Sequence, residues 1–325
     1  MSMLARVASN LYWIGRYLER AENTARLLDT ARRMAALPGP DGHHNEWESV
    51  LASSGSDYCF PETGNKNDPT DVVYHLVLAP SNPSSIYSSL QKARNNARSI
   101  REGLSWECWH TLNNLWLEFK DLTPMELSDA SLPDIIETTK YGCMTVNGSI
   151  ESTVLRNETY HFVRLGTFSE RADSTARILD VKYFSLLPPG EPIEGALDSY
   201  QWMTLLTATS TRRLFRRIYG TDLRAETVSD LLIKNDDCAR SLVFCISQIC
   251  DHLSHLSDLY DRQLGAMSAA STIRDEFVER SVDDIIIGGL HDYLGAFMRA
   301  NNSLAQDISR DFYFEPVNET SDTDK

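Results

Sequence analysis

Much of the vocabulary of membrane insertion and of familiar catalysis is missing from this chain of 325 residues. No apolar run approaches the ~20 residues that a membrane span needs, so no membrane partner is expected. The opening segment MSMLARVASNLYWIGRYLER breaks its helical rhythm with charges and lacks the apolar core and cleavage site of a secretory signal, which makes a cytoplasmic location the expectation. Cations are the minority: 31 Lys and Arg against 46 Asp and Glu leave a net charge of −15, the wrong sign for a nucleic-acid footprint. The densest basic cluster, Arg212, Arg213, Arg216 and Arg217, reads as a solvated helix face. The six cysteines contain no CxxC pair, and Cys238, Cys245 and Cys250 fall in an apolar helical pattern where cysteine acts as a small core residue. Neither a zinc site nor a disulfide framework is therefore expected. A Gly-rich phosphate loop, a GxSxG elbow and a Cys-His signature are all absent, and no segment shows the alternation of a strand.

What the chain does have is helical periodicity. Leu4, Val7, Leu11, Ile14, Leu18, Ala21, Ala25 and Leu28 recur at alternating steps of three and four, the seam of a long bundle helix that stops near Leu37-Pro38-Gly39-Pro40. A polar stretch runs to about Asn67. Helical patterns follow over roughly 69–79, 84–102, 105–120 and 129–142, then a long one over 147–186 closed by Pro188-Pro189-Gly190, and further ones over 196–219, 224–234, 237–262 and 276–312. The fold class is an all-α multi-helix bundle. It spans 1–315, as one domain or as two repeats opening near 1 and 147, with a disordered tail over 316–325.

The repeat idea rests on one octet. ERAENTAR at residues 19–26 returns 151 positions later as ERADSTAR at 170–177, and the wider windows 14–30 and 165–181 share nine identities, Gly15 and Gly166 among them. In the first copy Glu19, Glu22, Arg26 and Asp29 form a charged stripe beside the apolar seam; in the second, Glu170, Asp173, Arg177 and Asp180 repeat it. If the two helices pack together, these stripes line one cleft, with Arg20 and Arg171 entering from the opposite flank. The competing reading takes Glu22–Arg26 and Asp173–Arg177 as exposed i,i+4 pairs worth about 0.2 to 0.5 kcal/mol each. Glu158 takes the place of Val7 in the second copy, a carboxylate on a seam position, with Arg156 as its candidate partner.

Two other patterns bear on chemistry. In ARNNARSIREGLSWECWHTLNN, residues 93–114, Arg94, Arg98, Arg101 and Glu102 precede Trp106, Trp109, Asn113 and Asn114, a mixture suited to a carboxylate or a phosphate. Glu107/His110 and Glu158/His161 match the Glu-x-x-His step of di-metal bundles. Two such matches lie near the chance level for this composition, so no metal is expected.

Three blocks, MLARVASNLYWIGRYLERAENTARLLD, ARNNARSIREGLSWECWHTLNN and STVLRNETYHFVRLGTFSERADSTARILDVKY, closely resemble the bacterial alpha-E domain family, and the resemblance runs over nearly the whole chain. An Arg-Ser pair of the family stands at Arg240-Ser241, although Cys238-Ala239 precedes it where the family has Phe-Pro. The resemblance implies an all-helical protein that works with a circularly permuted ATP-grasp protein and a transglutaminase-like protein. ATP and Mg would then belong to the partner ligase, with no cofactor in this chain. Two functions follow as expectations. In the first, the chain is an accessory or substrate-binding component of a peptide or amide ligation system, with Arg20, Glu22, Arg26, Arg98, Arg101, Glu102, Arg171, Asp173 and Arg177 holding substrate. In the second, it is itself catalytic, with Glu19 or Glu170 as general base. A di-metal carboxylate bundle enzyme and a purely structural bundle are the remaining alternatives.

Overall fold

The computed structural model describes residues 3–36, 46–184 and 195–314. Among these there are fourteen α-helices and no strand: α1 (Ala5–Ala35), α2 (Glu46–Ser54), α3 (Pro69–Val77), α4 (Ile86–Ser99), α5 (Trp106–Phe119), α6 (Leu132–Thr153), α7 (Glu158–Phe184), α8 (Ala196–Ala208), α9 (Arg212–Tyr219), α10 (Ala225–Ser229), α11 (Leu242–Tyr260), α12 (Gly265–Glu279), α13 (Val282–Ile287) and α14 (Leu290–Asp311). The all-α bundle read from the sequence is the fold observed. None of the described helices is long and apolar enough to cross a membrane. The expected stops at 37–40 and 188–190, and the tail at 316–325, lie outside the described residues.

Several helix boundaries differ from the periodicity, each for a local reason. The long helix expected over 147–186 is two helices. α6 runs on to Thr153, and α7 starts at Glu158, where the Asn157 side chain accepts from the Thr159 amide at 3.0 Å. A repeat opening near 147 would therefore begin inside α6. The segment 196–219 breaks at Ser210, held at φ 59°, and 276–312 breaks at the Ser281 N-cap and at Gly289, whose φ of 97° suits glycine. Within the supposedly irregular stretch before Asn67 lies α2, with Trp47, Val50 and Leu51 buried.

α1 and α7 form the largest helix contact and are wrapped on all sides. The partners of α1 are α2, α3, α4, α6 and α8; those of α7 are α8, α11, α14 and α2. The outer pairs α4–α5 and α5–α6 recur as α11–α12 and α12–α14, so the second half repeats the packing order of the first. Close approach of α1 and α7 depends on Gly15 and Gly166. A Cβ on Gly15 would collide with the Val163 carbonyl oxygen, and one on Gly166 with that of Tyr12, positions related by the same 151-residue shift. Because the obstacles are backbone atoms, no rotamer change relieves them. Gly166→Ala is expected to cost about 2 to 4 kcal/mol by forcing the helices apart. Gly148→Ala, at an exposed site of α6 with nothing near the new methyl, should be neutral or stabilise by up to about 1 kcal/mol. Urea unfolding of both variants checks the contrast.

A buried arginine exchange as the candidate functional site

Enclosure of α1 changes the standing of its charges. Glu19, Glu22, Arg26 and Asp29 are all buried, as are Glu170, Asp173 and Asp180, so the stripes lie inside the bundle rather than along its edge. A buried carboxylate needs a partner, and the partners come chiefly from across the helix pair. Arg171 of α7 donates to Glu19 of α1, and Arg20 of α1 donates from Nε to Glu170 of α7 at 2.7 Å. Each Glu-Arg dipeptide thus gives its arginine to the other's glutamate. The i,i+4 pairs are present as well, Arg26 to Glu22 at 2.5 Å and Arg177 to Asp173 at 2.6 Å, but Arg26 and Glu22 are each only 2% exposed. The weak surface-pair reading fails on that burial.

Each inner arginine also ends a helix of the other half. Arg26 donates to the Ala208 carbonyl at the end of α8, and Arg177 donates to that of Ser53 at the end of α2, at 3.4 Å. Just beyond each carbonyl the chain takes positive φ, 59° at Ser210 and 69° at Gly55.

Two further arginines complete the network. Arg16 donates to Glu170 at 2.6 Å, and Arg240, just before the Ser241 N-cap of α11, donates to Glu22 at 2.5 Å. Arg16 has no counterpart in the doubled octet, since Thr167 stands at the matching position; its one-turn spacing from Arg20 was the available signal. Around Glu19 and Glu22 stand Arg26, Arg171 and Arg240, and around Glu170 and Asp173 stand Arg16, Arg20 and Arg177. Each half therefore holds three guanidiniums to two carboxylates.

The electrostatic consequences are unequal. Burial would push the Glu22 carboxyl up, but Arg240 and then Arg26 outweigh it and hold it at about 2. Glu170, equally buried, is held at about 2 by Arg20 and Arg16. A carboxylate so stabilised is a poor proton acceptor near neutral pH. Burial, with Arg26 beside it, draws Arg240 down to about 10, so it stays charged at neutral pH.

Other expected site residues lie elsewhere. Arg98, Arg101 and Glu102 are exposed at the end of α4 and in the turn after it, where Arg101 sits 5.3 Å from the Trp109 ring centroid. Asn10 donates to Ser99 at 2.9 Å, which fixes this end of α4 beside the start of α1, about 13 Å along the helix from Glu19. The structure does not bring this patch together with the arginine exchange. Glu158 is half-buried and accepts from the Tyr260 hydroxyl at 2.6 Å, while Arg156 pairs with Glu151 instead. His110 stacks on Trp106, and His161 meets His252 at 3.0 Å between Nδ1 atoms. Among the described residues no group of three or more His, Cys, Asp or Glu could hold a metal. All six cysteines are free, and Arg212, Arg213, Arg216 and Arg217 are exposed on α9.

These features define a helical bundle built around two reciprocally paired Glu-Arg motifs. The chain belongs to the Alpha-E family, whose description is a predicted alpha-helical domain with a conserved ER motif, and the match covers residues 3–313. Of the chain's three Glu-Arg dipeptides, Glu19-Arg20 and Glu170-Arg171 are the two in the doubled octet; the third is Glu279-Arg280. Uncharacterized proteins of Mycobacterium bovis and Mycobacterium tuberculosis are 26% identical over 268 residues, 77% of this chain. The chain spans 30% of the length of these relatives. No solved structure matches it.

Two outcomes follow from burial of the network. Arg171→Ala, which strands Glu19, should cost about 3 to 5 kcal/mol, whereas Arg156→Ala, removing an exposed pair, should cost less than about 1 kcal/mol; chemical denaturation distinguishes them. The second concerns acid. Glu22 and Glu170, depressed from 4.5 to about 2, contribute stability that is complete above pH 4.5 and lost as pH falls through 2. His252, lowered from 6.5 to about 3 by burial and by His161, adds a loss that begins near pH 6.5, where only the unfolded chain takes up the proton. The melting temperature should fall by about 5 °C between pH 7 and 4.5, and His252→Gln should flatten that phase while leaving the decline below pH 4.5. A flat profile from pH 7 to 4.5 in the parent protein would contradict the assignment.

Proposed function

We propose that this chain is an accessory, substrate-binding component of an ATP-grasp-linked peptide or amide ligation system, and that its substrate site is the charged interface of α1 and α7. The observation that carries the reading is the surplus of guanidiniums, three to two carboxylates in each half, inside a protein of net charge −15. Uncompensated buried cations are costly, and a bound carboxylate would offset them with bidentate hydrogen bonds. Arg20 and Arg177, with side chains 20% and 25% exposed, are the approachable members.

A binding role suits the carboxylates better than a catalytic one. Glu170 is held near 2 by two guanidiniums, which removes its basicity. Activation of a carboxyl group by ATP and Mg is then left to the ATP-grasp partner, with a transglutaminase-like protein in the same system. The longer relatives support a module that works joined to other parts, since this region is 30% of their length.

The test combines the chain with a circularly permuted ATP-grasp protein encoded beside it and follows ADP release and amide formation. Arg20→Lys keeps a positive charge facing Glu170 but gives up the two-pronged geometry. It should leave the complex intact on size exclusion and raise the half-saturating substrate concentration about tenfold or more. An unchanged substrate dependence in the folded complex removes Arg20 from the site, and failure to associate with the ligase removes the accessory role.

A further inference from the structure

The turns before α4 and α11 match down to individual hydrogen bonds, and a charge difference between them, separate from that of Arg16 and Thr167, points to a ligand. Before α4, the Asn82 amide donates to Ala79 O at 3.1 Å, Ser85 to Asn82 O at 3.1 Å and Ser89 to Ser85 O at 2.9 Å. Before α11, 156 residues later, Cys238 donates to Asn235 O, Ser241 to Cys238 O and Cys245 to Ser241 O at 3.1, 2.8 and 3.1 Å. Ser85 and Ser241 are the N-caps, each accepting from the amide three residues on. The turn is the same, so Ser84 stands where Arg240 stands.

Arg240 reaches from its turn to Glu22 of the opposite motif helix. Under the same relation an arginine at Ser84 would be directed at Asp173, the counterpart of Glu22; the serine side chain is too short and uncharged to reach it. Asp173 records the difference. Its Oδ2 accepts from Arg177, whereas Oδ1 is buried and has no hydrogen-bond partner, in a residue only 8% exposed. Arg16 lies close enough to interact with it electrostatically but bonds Glu170 and Tyr12 instead.

Two further positions are polar in this half where the other half has cysteine. Ser89, four residues after the Ser85 N-cap, stands where Cys245 follows Ser241, and Asn301 of α14 stands where α6, of the same length, has Cys143; both carry a buried oxygen without a partner. Ser53, whose carbonyl receives Arg177, also has an unpartnered hydroxyl. Buried acceptors left open in this number call for a donor. In the half around Glu22 the equivalent place is filled by a guanidinium of the chain itself.

We propose that the half-site around Asp173 binds the cationic end of a substrate, a guanidinium or primary ammonium group, in the place that Arg240 fills in the other half. On this view Glu22 receives a second guanidinium from the chain itself, whereas its counterpart Asp173 keeps Arg177 alone because Arg16 and Arg20 both go to Glu170. The proposal rests on the substrate-binding reading given above and supplies its amine component, the nucleophile that an amide ligation consumes.

Thermal melts in the presence of agmatine, with n-butanol as the uncharged control, test it on the isolated chain. Ser84→Arg supplies the missing guanidinium from within. It should raise the melting temperature by about 2 to 4 °C, the effect of one new charge-assisted bond, and abolish the agmatine response. In an Asp173→Asn background both the agmatine response and the gain from Ser84→Arg should vanish. Equal agmatine stabilisation of parent and Asp173→Asn would overturn the proposal. So would a loss of stability from Ser84→Arg of the same size in both backgrounds, or no agmatine response in any variant, the result expected if ordered water alone fills the place. Ser84→Lys serves as the second probe if Ser84→Arg does not fold. Agmatine binding without any effect of Asp173→Asn on amide formation would preserve the subsite and sink the ligation role, whereas ligase association and amide formation without amine binding would do the reverse.

Discussion

Everything in this bundle turns on two helices that touch backbone to backbone. Gly15 and Gly166 admit the opposite helix's carbonyl oxygens into contact, and only at that separation can Arg20 and Arg171 cross to the opposing glutamates. Steric room and charge exchange are therefore one constraint. Widening the gap by a methyl group would lengthen the ion pairs while keeping them buried, the combination in which desolvation is least compensated.

The network is costly by ordinary standards of protein interiors, where apolar residues of similar volume often serve stability as well or better. Ten charged side chains meet where a bundle could place leucines. Their arrangement accounts for specificity of assembly: a slip of α1 against α7 by one turn would move Glu19 and Glu170 out of register with the guanidiniums that cross to them. The carbonyls of Ala208 and Ser53 extend that specificity outward, because the ends of α8 and α2 are fixed by arginines of the opposite half. The same arrangement keeps the Glu22 and Glu170 carboxylates ionised, which makes them poor proton acceptors.

The bundle and most of its helices were legible in the sequence because burial imposes the three-four rhythm on Leu11, Ile14, Leu18, Ala21 and their counterparts. The breaks were not, where they depend on one capping side chain such as Asn157 or one positive φ such as that of Ser210. The doubled octet drew attention to the right residues, and packing of the two motif helices followed from it. Which arginine meets which glutamate did not, because spacing along one helix suggests local pairs, while Arg171 and Glu19 are 152 residues apart. Arg16 and Arg240 escaped the motif since their counterparts, Thr167 and Ser84, are uncharged. Arg98, Arg101 and Glu102 looked similar in composition, yet they belong to a different surface, near Trp109.

The exchange also dictates an order of events during synthesis. Contacts between residues 150 or more positions apart cannot form until the second motif has left the ribosome. Until then Glu19 and Glu22 lack Arg171 and Arg240, and α1 cannot bury its charged face with the partners it has in the finished fold. The first half of the chain must consequently remain loosely assembled, its helices formed but its centre hydrated, while the rest is made. Such non-local closure is slow, and the interval exposes a long amphipathic helix to any chaperone or neighbouring chain that reaches it first.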